Sequence, residues 1–283
     1  MNKLYEKYIK KEALPTLFCP GCGNGIIQYA AMEAMEKLGI KDDVACVSGI
    51  GCSSWIPCYY QLDCIHSMHG RALPCAEGLK LARPDKKILV FTGDGDATAI
   101  GGNHLVHAAA RNIDLTVIMV NNYIYGMTGG QKSPTTPKGA KTKTSPYGSI
   151  DEPINSCKMV MALGASYVAR WTTAHPVQLA KAIAEGIQHK GFAYIEVLSQ
   201  CPVQAGKNVW GEKDPAKIME KYKEATYLYR GDPQDLTGAQ ADKIAIPLPG
   251  NFIQGKSFLP GLCLQGSRFS RQFACSNSDR KVD

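Results

Sequence analysis

The sequence predicts an α/β fold with a doubly wound, mostly parallel sheet, and three observations carry the prediction. Residues 87–92 and 115–120 are almost wholly apolar runs, as suits strands covered on both faces. Between and around them lie stretches with helical spacing, so strand and helix alternate. Polar and glycine-rich clusters follow directly after these runs, at the strand ends where open α/β sheets bind ligands.

In chain order, Ile26, Ala30, Met32, Met35 and Leu38 are spaced for a helix over 26–38, which Gly39 stops. A short strand follows at 44–48. The strand at 87–92 leads to a helix at 102–111 and then to the strand at 115–120. After a long Lys/Thr/Pro-rich loop come a helix at 154–163, a strand at 166–170, a helix at 176–189 and a strand at 192–198. Beyond Cys201 the pattern weakens. Residues 214–223 suit one helix, and 247–283 are rich in Gly, Ser, Pro and Gln with no period. The expected division is an α/β domain over 1–210 and an extension over 211–283 that packs on a partner.

A chain of 283 residues, 45% apolar and 20% charged, has the composition of an ordinary globular protein with a substantial core. Its formal charge of +7 is scattered rather than gathered in a basic block, which suits anionic small molecules or an acidic protein and not nucleic acid. No apolar run approaches the roughly 20 residues that cross a bilayer, and residues 1–12 lack a secretory pattern, so the expected location is the cytoplasm. With 11 cysteines in such a chain, metal binding or buried thiols are expected rather than disulfides.

The first strand-end cluster is Gly93-Asp94-Gly95-Asp96 and the second is Asn121-Asn122, one strand-helix-strand unit later. Glycine lets backbone approach a phosphate, and a carboxylate with an amide oxygen makes hard ligands for Mg²⁺ shared with phosphate oxygens. Alone, either motif is a turn. Placed together at two strand ends, they read as a diphosphate clamp built through a metal.

Cys19-Pro20-Gly21-Cys22-Gly23 is a tight knuckle that aims two thiolates at one site. No second Cys-x-x-Cys pair exists, so further ligands must be isolated cysteines. Cys52, just past the strand at 44–48, and Cys201, just past the strand at 192–198, have the best placement. Cys46 reads as a core residue, and Cys58, Cys64, Cys75 and Cys157 as structural. The residues alone leave a zinc knuckle and a four-cysteine cluster equally open.

Taken together, Cys19-Pro20-Gly21-Cys22-Gly23, Gly49-Ile50-Gly51-Cys52-Ser53-Ser54, His69-Gly70-Arg71, Gly93-Asp94-Gly95-Asp96-Ala97, Gly101-Gly102-Asn103-His104, Asn121 to Gln131 and Ser199-Gln200-Cys201-Pro202 resemble the β subunits of 2-oxo acid:ferredoxin oxidoreductases. The likeness spans about Leu14 to Lys207, with the motifs in the family's order. It implies a fold of the thiamine-diphosphate-binding type. It implies Mg²⁺ held by Asp94, Asn122 and the carbonyl of Ile124, with Gly95, Asp96, Gly126 and Met127 at the diphosphate. Ile50, Gly51, Cys52, Ser53 and His69 would lie along the cofactor, and His69 and Arg71 would meet diphosphate or substrate. A [4Fe-4S] cluster would be held by Cys19, Cys22, Cys52 and Cys201.

The activity so implied is reversible oxidative decarboxylation of a 2-oxo acid, with coenzyme A taking the acyl group and ferredoxin the electrons. A partner α subunit would supply the pyrimidine-binding domain, and small iron-sulfur γ or δ subunits accompany some family members. The short β-subunit form and the segment 49–57 look most like the 2-oxoglutarate enzymes. Some relatives place a basic residue near position 55, where this chain has Trp55. That leaves Arg71, a lysine of the 132–143 loop or the partner to meet a second carboxylate, and keeps 2-oxoisovalerate and pyruvate as alternatives. A non-oxidative thiamine decarboxylase or carboligase needs the same clamp without a cluster. An electron-carrier subunit with a decayed thiamine site needs the cluster without the clamp.

Overall fold

A computed structural model describes residues 3–229 and 244–247. Its centre is a sheet of six parallel strands: β1 (Val44–Ser48), β2 (Asp63–His66), β3 (Lys87–Gly93), β4 (Leu115–Asn121), β5 (Tyr167–Thr172) and β6 (Phe192–Leu198). In space they run β2-β1-β3-β4-β6-β5. β4 and β6 are buried at every position, so β4 reads as a nearly continuous apolar run, while β6 carries one charged residue, Glu196, within it. Successive residues of one strand still serve opposite faces. Leu89 and Phe91 join one core while Ile88 and Val90 join the other.

Helices α1 (Asn24–Leu38) and α5 (Pro176–Gln188) pack together over the first face. Helices α2 (Ala72–Ala82), α3 (Gly102–Arg111) and α4 (Ser156–Ala162) cover the second. The expected doubly wound architecture is therefore present. In α1 the buried stripe runs through Ile27, Ala30, Ala31, Ala34 and Met35 rather than through Ile26. Two elements go beyond the sequence reading. β2 is only four residues long and exposed throughout, so it has no apolar run to betray it, and α2 follows it.

A further helix, α6 (Pro215–Ala225), starts where the Asp214 side chain accepts from the Ala216 N–H at 2.9 Å, with Pro215 in the first turn. It buries Ile218 and Tyr222 against Tyr123 and Leu198. The described body thus runs on past residue 210, through α6. Most of the expected extension, including Cys263 and Cys275, lies outside the described residues. No helix among those described is long and apolar enough to cross a membrane.

Inside the second face, Arg170 of β5 faces Glu196 of β6, its register partner, with Nε donating to Oε2 at 2.6 Å. Burial raises the Glu196 carboxyl, but Arg170, the Cys157 thiol and the Asn121 amide override it, so the group ends below its ordinary range. Removing one partner leaves a buried charge uncompensated. Arg170→Ala is expected to lower stability by about 3–5 kcal/mol, measured by denaturant unfolding, and the double change Arg170→Met with Glu196→Met to recover most of that loss.

Candidate active site

The loops after β1, β2, β3 and β4 meet at the carboxyl edge of the sheet and enclose a cavity of about 160 Å³. Its wall carries Ile50, Gly51, Cys52 and Ser53 from the first loop and His69 from the second. Asp94, Gly95 and Asp96 come from the third, and Asn122, Ile124, Gly126 and Met127 from the fourth. Every residue the sequence placed at the metal or along the cofactor therefore lines one cavity, except Cys19, Cys22 and Cys201, which stand behind it. Arg71 does not line it; it is exposed, and its guanidinium donates over a long 3.4 Å to Gly70 O. Trp55 is also outside, with its ring edge-on to His66.

Asp96 does more than the sequence suggested. Its carboxylate is buried and accepts four hydrogen bonds from three strand ends. Oδ1 takes the Gly70 N–H at 2.6 Å, the Ile50 N–H at 3.3 Å and His69 Nδ1 at 2.6 Å, while Oδ2 takes Thr92 Oγ1 at 2.6 Å. A carboxylate only accepts, so the bond places the His69 proton on Nδ1 and leaves Nε2 for the cavity. Gly49 permits this approach. A Cβ there would stand 2.1 Å from Asp96 Oδ2.

Asp94 is buried as well. Ser133 Oγ and Thr135 Oγ1 donate to its Oδ2 at 2.6 and 2.7 Å. Burial pushes its carboxyl up to about 6, and the groups that counter burial are these hydroxyls and backbone amides rather than a cationic side chain. A buried carboxylate of that kind, on a cavity wall beside an amide oxygen, fits a divalent cation. Ser133, Thr135 and Thr136 are themselves buried, so the start of the loop that composition makes look solvated is packed against the site. Their only sequence signal was a run of hydroxyl residues after Gly129-Gly130.

The turn after β4 is shaped by two asparagines. Asn121 Oδ1 accepts the Tyr123 N–H at 3.1 Å and Asn122 Oδ1 the Ile124 N–H at 3.2 Å. Between them Tyr123 is held at φ 65°, in the left-handed region. A two-residue hairpin then pairs Ile124–Tyr125 with Gln131–Lys132 around the glycine-rich loop.

Cys52 and Cys201 meet beside Gly126. A Cβ added there would touch Asn122 Nδ2 at 3.6 Å and both Cys201 Sγ and Cys52 Sγ at 3.7 Å. The knuckle is pinned to the same place, because the Gly23 N–H donates to Gln200 O at 3.0 Å, next to Cys201. Burial pushes the Cys22 thiol up to about 12, and proximity to Cys201, Cys52 and Cys19 adds to the rise. Burial likewise pushes Cys52 up to about 11, with Cys201 and Cys19 beside it. Among the described residues no three His, Cys, Asp or Glu side chains converge closely enough to share one metal ion. Cys46 and Cys157 are buried, as expected of structural cysteines, whereas Cys64 is exposed.

A parallel α/β sheet that gathers glycines, a buried carboxylate and an asparagine amide at its carboxyl edge has the arrangement of a diphosphate-cofactor domain. Residues 46–197 match the family described as the thiamine pyrophosphate enzyme, C-terminal TPP binding domain. The 2-oxoglutarate synthase subunit KorB of Methanocaldococcus jannaschii is 57% identical over 220 residues, 77% of this chain and 81% of that protein. The protein of the same description from Archaeoglobus fulgidus is 48% identical over 79% of this chain and 82% of its own length. Among solved structures, a chain of the 2-oxoglutarate:ferredoxin oxidoreductase from Magnetococcus marinus, with 2-oxoglutarate, coenzyme A and succinyl-CoA bound, superposes with a TM-score of 0.73 at 35% identity. The match covers 83% of this chain and 77% of that one. The chain belongs to the 2-oxoacid:ferredoxin oxidoreductase family, as its thiamine-pyrophosphate-binding subunit.

Asp96→Ala is expected to release the loops holding Ile50 and His69. Fluorescence titration should then show thiamine diphosphate affinity about 10- to 100-fold weaker, the equivalent of one or two charge-assisted hydrogen bonds, with iron content unchanged.

Proposed function

We propose that this chain is the catalytic thiamine-diphosphate subunit of a cytoplasmic enzyme that converts 2-oxoglutarate and coenzyme A to succinyl-CoA and carbon dioxide, reversibly. The electrons would leave through a [4Fe-4S] cluster to ferredoxin. The observation that carries the proposal is the position of Gly126, where an added Cβ would stand 3.6 Å from the Asn122 amide and 3.7 Å from both the Cys52 and Cys201 sulfurs. A metal-diphosphate clamp and a thiol cluster that share a wall suit a reaction in which a cofactor is oxidised by a neighbouring electron carrier.

Thiamine diphosphate, when bound, supplies the electron sink for decarboxylation. In this chain Asp94, Asn122 and the Ile124 carbonyl hold Mg²⁺, and Gly95, Gly126 and Met127 receive the diphosphate. His69, fixed through Nδ1 by Asp96, turns Nε2 toward cofactor and substrate. Ile50 and Met127, each partly exposed, close the mouth against water. Cys19, Cys22, Cys52 and Cys201 hold the cluster.

An α subunit completes the site with its pyrimidine-binding domain, and γ or δ iron-sulfur subunits are further partners. Substrate choice rests on the relatives described as 2-oxoglutarate synthase subunits. Trp55 lies outside the cavity, so it gives no reason to prefer an apolar 2-oxo acid. Arg71 lies outside too, which leaves the second carboxylate to groups at the mouth, including the partner's.

In the complex purified without oxygen, coenzyme A-dependent viologen reduction should be fastest with 2-oxoglutarate; a preference for pyruvate or 2-oxoisovalerate overturns the substrate assignment while leaving the chemistry. Asp94→Ala should abolish Mg²⁺-dependent thiamine diphosphate binding by calorimetry yet leave the iron and acid-labile sulfide in place. Cys52→Ala should do the converse and erase the electron paramagnetic resonance signal of the reduced cluster.

A further inference from the structure

A second group of thiols lies away from the cavity, at the β2 edge of the sheet. β1 and β2 pair in parallel with Cys46 opposite Cys64, so both side chains leave the same face of neighbouring strands. Adjacent strands stand about 4.8 Å apart, within the span of roughly 4.4–6.8 Å between Cα atoms that a disulfide accepts without backbone movement. Cys46 is wholly buried, whereas Cys64 is exposed on β2, which among the described residues has no neighbour on its outer side.

We propose that Cys64 and Cys46 are a peroxide-oxidisable dithiol, in which Cys64 attacks the oxidant and Cys46 resolves the product into a disulfide. The neighbourhood favours that division of labour. Cys64 Sγ donates to Pro57 O at 3.1 Å, and the neighbouring Cys46 thiol together with the nearby Lys10 ammonium holds Cys64 below its ordinary range against the opposing effect of burial. The buried Cys46 is pushed the other way by its Cys64 neighbour and by burial. A low-lying exposed thiol beside a resolving thiol is the arrangement that peroxide selects.

The step balances within the pair. The Cys64 thiolate attacks one peroxide oxygen, the O–O bond breaks, and the hydroxide leaving group takes up a proton to become water. Cys64 is then a sulfenic acid. The Cys46 sulfur attacks it, the S–O bond breaks, the S–S bond forms, and the hydroxyl departs with the Cys46 proton as a second water. Two thiols have lost two electrons and one peroxide has been reduced to two waters. The new bond fastens β2, the strand that leads through Ser67 and Met68 to His69, onto β1, whose end carries the first wall of the cavity.

The test uses the purified complex, treated without oxygen with a few equivalents of hydrogen peroxide and then alkylated. Chymotrypsin cuts at Trp55, Tyr59, Tyr60 and Leu62, which separates Cys46, Cys58 and Cys64 for mass spectrometry. A Cys46–Cys64 linked peptide that dithiothreitol dissolves is expected. In Cys46→Ala, Cys64 should instead be captured by dimedone as the sulfenic acid. In Cys64→Ser, loss of the Cys46 thiol should slow by about tenfold or more. A Cys64 that stays reduced in the wild-type complex, or that pairs with Cys58, overturns the proposal.

Discussion

One buried carboxylate organises the site. Asp96 draws the loops after β1 and β2 and the end of β3 onto a single pair of oxygens. Charge-assisted bonds of this kind contribute roughly 1.5–3 kcal/mol each, so four of them set loop positions more firmly than loop packing alone does. The same residue sits two positions after Asp94, and the backbone between them cannot shift without disturbing both. Positioning of His69 and orientation of the Asp94 carboxylate on the cavity wall are thus one problem with one solution.

A chain of polar contacts extends that organisation into the sheet. Arg170 holds Glu196, Glu196 accepts Asn121 Nδ2 at 2.7 Å, and Asn121 Oδ1 accepts Thr135 Oγ1 at 3.0 Å. Thr135 therefore contacts both Asn121 and Asp94. Buried charges of this sort add little net stability over apolar packing, but each member is satisfied only in one arrangement. The sheet interior and the cavity share that arrangement.

Much of this was readable from the residues. β3 and β4 declared themselves because burial on both faces leaves few polar positions to break an apolar run, β6 did so despite the buried Glu196, and the strand-end motifs followed from where those runs stop. β2 was silent because Asp63, Cys64, Ile65 and His66 are exposed and mixed in character. Arg71 looked like a site residue through its neighbour His69, but the turn at Gly70 sends the two side chains apart. Ser133 and Thr135 were hidden by composition, since a Lys/Thr/Pro-rich loop reads as solvated whether or not its first residues fold inward. The role of Asp96 needed three loops in space, which spacing along the chain does not supply. The choice of cluster over zinc came from family resemblance rather than from cysteine spacing.

Tyr123 carries a consequence for a region far from the sheet edge in sequence. A bulky residue at φ 65° is strained by about 1–3 kcal/mol and stays there only because its surroundings over-determine it. Those surroundings are Leu198, Trp210 and, from α6, Ile218 and Tyr222. The last described helix is therefore a buttress for the Asn121–Asn122 turn, and the stability of one is thermodynamically linked to the geometry of the other. Anything that docks on α6 and tightens it also stiffens the turn beneath the cavity, and anything that frays α6 lets the turn relax.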